Sequence, residues 1–184
     1  MDIIILHRNL RLEDNSALFH GSFNQNYRVI YVYDKHYWSS DGRSPRQFSF
    51  LLDCMKEVQS GLSNLNSYIE VFEGSYSELS TYIERNYPQS KIHFNHSTDT
   101  SYYRNQISKF KDTFKGSSRL NIYEDFGIQI NQFNRDKWSF GWNRQMRKYR
   151  HDQPKPNLSS KSTDLMNFDD FLDLFDFQVR FFGG

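Results

Sequence analysis

The chain has 184 residues, a formal net charge of +1 and a single cysteine. That length suits one well-buried domain, and the near-neutral charge excludes the overall electrostatic pull of a dedicated nucleic-acid-binding domain. Cys54 on its own excludes an internal disulfide or a cysteine-rich zinc site, which fits a reducing compartment, and with 17% aromatic residues the core must draw heavily on Phe and Tyr.

The N-terminal run Asp2-Ile3-Ile4-Ile5-Leu6 is too short and too acidic for a signal peptide, and no apolar stretch approaches the roughly 20 residues of a membrane span, so a cytoplasmic protein is expected. The same run has no polar alternation, the pattern of a strand covered on both faces of a parallel sheet. Further strands are predicted over 28–33, 68–72, 91–95 and 119–123. Between them lie amphipathic helices. The first runs from Ser44 to Gly61, with Phe48, Leu51, Leu52, Met55 and Val58 at helical spacing. Ser44 and Gln47 form a capping box, Pro45 stands at the first helical position, and Gly61 is expected to take a left-handed stop. The other two run over 75–86 and 99–115. Regular strand–helix alternation predicts an α/β fold, a doubly wound five-stranded parallel sheet with helices on both faces, Rossmann-like.

After Tyr123 the alternation stops. The stretch 128–157 carries seven cations (Arg135, Lys137, Arg144, Arg147, Lys148, Arg150 and Lys155) against Asp136 and Asp152, and Pro154 and Pro156 mark a linker. From Asp164 a helical face gathers Phe168, Phe171, Leu172 and Phe175. The chain therefore divides into an α/β domain over 1–133 and a basic, aromatic and linker-like segment over 134–184. No G-x-G-x-x-G, P-loop or G-x-S-x-G opens a turn, His93 and His96 lack metal-like partners, and Cys54 reads as a small core filler.

His7-Arg8-Asn9-Leu10-Arg11-Leu12-Glu13-Asp14-Asn15-Ser16-Ala17-Leu18 directly follows the first strand. It resembles the photolyase/cryptochrome signature R-D-L-R-x-x-D-N-x-A-L, with Asn9 in place of the first Asp. Tyr33-Asp34 resembles the V-x-D ending of the family's second strand, and Arg43 to Leu51 its R-x-x-F-L helix start. Phe94-Asn95 with Asp99 and Arg104-Asn105 is similar to a degraded N-x-x-x-E-P…R-D stretch. Arg135-Asp136-Lys137-Trp138 with Trp142 resembles R-D-x-W-x-x-x-W of a cryptochrome-like branch, where the two tryptophans are expected to close the bottom of the core. Phe181-Phe182-Gly183-Gly184 resembles the F-x-G-G before the flavin domain.

The resemblance implies an N-terminal antenna-type domain that acts in DNA photorepair or blue-light sensing, with the FAD-binding helical domain supplied elsewhere. This chain by itself is not expected to be catalytic. The family's α/β domain holds a light-harvesting chromophore such as a folate, deazaflavin or flavin, which the doubly wound sheet would place at the C-terminal strand ends. Candidate cofactor-binding residues are Arg8, Asn9 and Arg11; Asp34, Lys35 and His36; Arg46 and Phe50; and Asn95, His96 and Ser97. Arg8, Arg11 and Asp14 read first as a pinned loop. The expected partners are a separate FAD-binding domain or a second copy, met through Phe168, Phe171, Leu172 and Phe175, with DNA engaged only indirectly. The rival reading is a non-enzymatic interaction scaffold without a chromophore.

Overall fold

A computed structural model describes residues 1–40, 43–96, 100–124, 134–147, 150–159 and 164–179. Five strands form the predicted parallel core: β1 (Asp2–Leu6), β2 (Tyr27–Tyr33), β3 (Ile69–Glu73), β4 (Lys91–Asn95) and β5 (Leu120–Tyr123). A two-residue strand that the sequence did not announce, β6 (Met166–Asn167), pairs antiparallel with β3 and covers that edge. The order is β5-β4-β1-β2-β3-β6, so β1 lies between β2 and β4. All five residues of β1 are buried, as its unbroken apolar run requires.

The strands' period of two builds two cores. Ile4, Leu6, Val29 and Tyr31 face α1 (Ser16–Gly21), α3 (Pro45–Ser63) and α7 (Phe168–Val179). Ile3, Ile5, Ile30, Val32, Ile92 and Phe94 face α4 (Tyr76–Asn86) and α5 (Ser101–Thr113). The Ser44–Gln47 capping box forms as predicted, and a second, Ser75–Glu78, opens α4. The predicted stop at Gly61 is not one: α3 continues to Ser63, and Asn66 adopts the left-handed conformation, at φ 52°. Gly61 instead admits Leu12, whose Cδ1 would lie 1.9 Å from any Cβ placed there.

The linker-like segment is strapped to the body. Asn157 Nδ2 donates to the Tyr27 carbonyl at 2.8 Å, the Tyr27 hydroxyl to the Lys155 carbonyl at 2.7 Å, and Lys155 N to Ser22 Oγ at 2.8 Å. At the far edge Arg28, on β2, donates to Glu70 at 2.8 Å and meets the Asp164 carboxylate at 2.8 Å, which fixes the entry to β6. Burial opposes the Arg28 charge, but the two carboxylates outweigh it and hold the guanidinium protonated. In α7, Phe168 and Phe171 are each 1% exposed and belong to the core that contains Ile4 and Tyr33, so the chain's own body takes up that part of the tail face.

The tryptophan pair departs from expectation. Trp138 and Trp142 do stack, with ring centroids 5.3 Å apart, but α6 (Arg135–Met146) buries none of its described side chains and Trp138 is 46% exposed. Trp138, Trp142 and Met146 share one stripe at i, i+4 and i+8, with Phe140 off it, but none of these side chains is buried against the described body. Phe181 to Gly184 lie outside the described residues.

Candidate functional site

The βα loop after β1 is fixed by asparagines. Asn15 caps α1, accepting from Leu18 N at 3.1 Å, while its amide donates to the carbonyls of Asn9 (2.9 Å) and Arg11 (3.1 Å). Asn95, at the end of β4, donates to Asn15 Oδ1 at 2.7 Å and accepts from Ala17 N at 3.0 Å. The crevice between β1 and β4, where the strand order reverses and ligands of doubly wound sheets usually bind, is thus occupied by side chains that hold α1 in place. Arg11 Nε donates to the Asp14 carbonyl at 3.0 Å, so this arginine has the loop-pinning role read from the sequence.

The cleft opens on the other side of β1, between β2, α3 and the start of α5, with a volume of about 370 Å³. That is within the lower part of the range typical of small-molecule sites. Its walls are aromatic and cationic. Tyr37 and Trp38, from α2 (Lys35–Trp38), line it together with Tyr103 of α5 and Phe50 of α3, with Arg8 and Arg43 as the cations. The Arg43 guanidinium lies 4.0 Å above the Tyr37 ring, and Tyr37 and Tyr103 pack with centroids 4.2 Å apart. Tyr31 lines the floor, and burial pushes its phenol well above the usual tyrosine range. His7 also faces the cleft, with Nδ1 2.7 Å from the buried Tyr76 hydroxyl. Cys54 is half-buried on the α3 wall, where burial, then Glu57 and Asp53, raise its thiol pKa and keep it a neutral wall group.

Of the residues singled out in the sequence, Arg8 and Phe50 line this cleft. Asn9 is buried beside it with neither side-chain amide atom hydrogen-bonded among the described residues. Asp34 is consumed by structure: Oδ1 caps α2 from Tyr37 N at 3.1 Å and Oδ2 accepts the Tyr102 hydroxyl at 2.6 Å. Burial first, then Asp34, push the Tyr102 phenol up to about 12. Arg46 is exposed and off the walls; Arg43 and Gln47 stand where it was expected. His36 is exposed near Tyr102, His96 holds the end of β4 by donating its backbone N–H to the Tyr123 carbonyl at 2.6 Å, and Ser97 lies outside the described residues.

A second cavity, of about 500 Å³, adjoins the first across Trp38 and Arg43, which line both. Lys35 and Glu73 stand on its rim, and Phe48 and Phe175 give it a ring wall. Phe175 of α7 packs on Phe48 at 4.9 Å, so the C-terminal helix completes this cavity.

Residues 3–117 match the family model for DNA photolyase. The chain belongs to the DNA photolyase family. A curated relative, the (6-4) DNA photolyase of Arabidopsis thaliana, is 30% identical over 134 residues, which is 66% of this chain and 23% of that protein. Among solved structures, the archaeal photolyase of Sulfolobus tokodaii superposes with a TM-score of 0.70 at 23% identity, over 94% of this chain and 41% of its own. That structure contains two FAD molecules, with the implication of a novel light-harvesting cofactor. The cryptochrome of Synechocystis sp. gives a TM-score of 0.63 at 12% identity, over 88% of this chain and 38% of its own. The chain therefore spans about a quarter of the curated relative and about two-fifths of each solved photolyase or cryptochrome chain. These likenesses establish a photolyase/cryptochrome-type N-terminal fold. No described helix is long and apolar enough to cross a membrane.

The cleft's other members also carry a signal in the sequence. Gln47, Phe50, Leu51 and Cys54 fall at i, i+3, i+4 and i+7, a second stripe of α3 distinct from the core stripe Leu52, Met55, Val58 and Leu62. A helix carrying two mixed stripes faces two things. Here they are the sheet and the cleft.

Proposed function

We propose that this domain binds a planar light-harvesting chromophore in the cleft beside β1 and β2, and acts in DNA photorepair or blue-light sensing together with a FAD-binding domain, in the cytoplasm. The carrying observation is the wall chemistry. Four aromatic side chains offer ring contacts to a flat pigment, and Arg8 and Arg43 offer cations to a partly anionic one. The fit is chemical and dimensional, since a volume of about 370 Å³ accommodates one fused ring system. Tyr37 and Tyr103 would hold a ring from one side and Phe50 from the other, with the Gln47 amide N–H groups as neutral donors, since its oxygen already caps α3. The pigment itself would supply near-UV or blue absorption. The flavin-type pigment implied for the Sulfolobus tokodaii relative makes flavins the first ligands to try.

The test is spectroscopic. The purified chain is titrated with FAD, FMN, a reduced folate and a deazaflavin, and binding is read by fluorescence quenching and induced circular dichroism. Saturable uptake of one pigment, weakened about tenfold or more by Phe50→Ala or Arg43→Ala, supports the assignment. A colourless chain that takes up none of them overturns it and leaves the scaffold reading.

A further inference from the structure

Two exposed helix faces of this chain carry opposite charges. α6 buries none of its described side chains, and it leaves Trp138, Phe140 and Met146 exposed. The stacked rings of Trp138 and Trp142 give it an apolar ridge. Lys137 and Arg144, seven residues apart, lie along one line of the helix, and Arg147 follows its last turn. All three cations are exposed, and none makes an ion pair among the described residues.

α7 is the complement. Its inner face is fixed in the core by Phe168 and Phe171, so its outer face is presented on an anchored element. That outer face carries Asp169, Asp170 and Asp173, all exposed, together with Leu174, and it has no cation among its described side chains. Asp170 is tied to Asn167 at the start of the helix, which leaves Asp169 and Asp173, four residues apart, without a bonded partner among the described residues.

We infer that the chain forms a two-fold dimer in which α6 of each copy lies on the outer face of α7 of the other. The tryptophan ridge meets Leu174 at the centre, and Lys137 and Arg144 reach Asp169 and Asp173 at the rim, the usual division of an interface into apolar middle and polar edge. Two-fold symmetry uses both surfaces of both copies and closes the assembly at two. A net charge of +1 leaves little repulsion between copies. A nucleic-acid strand would satisfy the cations of α6 but be repelled by the carboxylates of α7, whereas a second copy satisfies both. Each contact is a helix of 12 residues, about 18 Å long, so the interface falls at the lower end of specific interface sizes and the dimer is reversible.

The experiment measures the mass of the full chain by sedimentation equilibrium from about 1 to about 200 μM. The mass is expected to rise from that of one copy toward that of two, with the dissociation constant increasing about tenfold as salt goes from about 50 to about 300 mM. Two charge reversals on exposed side chains, checked by melting curves, test the pairing: Lys137→Glu with Arg144→Glu, and Asp169→Lys with Asp173→Lys. Each variant should stay monomeric alone, and an equal mixture should regain the dimer, because each then meets the charge it lacks. Trp138→Ala, which removes no buried side chain, should weaken self-association about tenfold. A parent chain monomeric throughout, a dimer that survives either reversal, or a mixture that fails to pair would overturn the inference. A monomeric parent that takes up a fluorescent oligothymidylate, and loses it on Lys137→Glu with Arg144→Glu, would overturn it in favour of nucleic acid on α6.

Discussion

Replacing Phe171 by alanine tests whether the C-terminal helix is part of the folded body. Phe171 is 1% exposed, lies edge-on to Tyr33 at 5.0 Å and to Phe175 at 4.9 Å, and sits in the core that contains Ile4 and Val71. Truncating a fully buried phenylalanine removes its transfer free energy and leaves a cavity, at a cost of about 3–5 kcal/mol. For a domain of this size each kcal/mol moves the midpoint by about 2–4 °C, so Phe171→Ala should melt roughly 6–20 °C below the parent. Leu174→Ala, three residues along and 52% exposed, should stay within about 0.5 kcal/mol. Thermal unfolding followed by far-UV circular dichroism measures both. If Phe171→Ala melts within about 1 °C of the parent, α7 does not pack on the body in solution. The wall that Phe175 contributes to the second cavity would then be lost as well.

Three further outcomes are expected. Asn15→Ala loses the α1 cap and its ties to Asn9, Arg11 and Asn95 and should cost about 2 kcal/mol or more, whereas Asn9→Ala removes two buried amide atoms that bond nothing among the described residues and should cost under about 1 kcal/mol; equal urea midpoints would contradict this. Arg28→Met strands Glu70, whose carboxyl burial already pushes up, and should cost about 3–5 kcal/mol; a loss under about 1 kcal/mol would show that the pair is solvated. Burial, then His151, holds the His20 pKa down, while burial lowers that of His93 against the pull of Asp2, with His20 and Lys91 adding to the fall. Both imidazoles are therefore held toward the neutral form when folded, and the unfolded chain takes up protons first as the pH drops through about 6.5. Stability present above that pH should decline as the pH falls from about 7 through about 6.5, and His20→Phe, which keeps the ring stacked on Tyr123, should flatten the decline; an equally steep fall in the variant would exclude His20 as its source.

The parallel core was legible because its signals are local. An isoleucine run without alternation, capping boxes at Ser44 and Ser75, and strand–helix alternation each constrain backbone within a few residues. What the sequence hid depends on distant partners. The strand β6 is two residues long and exists because Arg28 and Asp164 bring the tail to the β3 edge, a contact between residues 136 apart. Gly61 looked like a helix stop because glycine commonly is one, whereas its role is to let Leu12 approach a helix that continues. The tryptophan spacing in α6 correctly gave a stacked pair, but spacing cannot say whether a face has anything to pack against.

The site was legible by region more than by residue. Sequence reasoning placed it at the C-terminal strand ends and assigned equal weight to the loops after β1, β2 and β4. The structure separates them by how many hydrogen bonds each polar side chain already makes. Asn15 and Asn95 spend their amides on each other and on α1, and Asp34 spends both oxygens on Tyr37 and Tyr102. Buried polar groups bonded in this way hold the scaffold, and diverting those bonds to a ligand would lose interactions that burial makes expensive to break. The reversal of strand order between β1 and β4 is therefore closed by the scaffold's own asparagines. The cleft opens one strand over, where Tyr37, Trp38 and Tyr103 present ring faces and Arg43 rests its charge on one of them. The signature loop thereby serves the site mainly from behind, by fixing the end of β1 from which Arg8 enters the cleft.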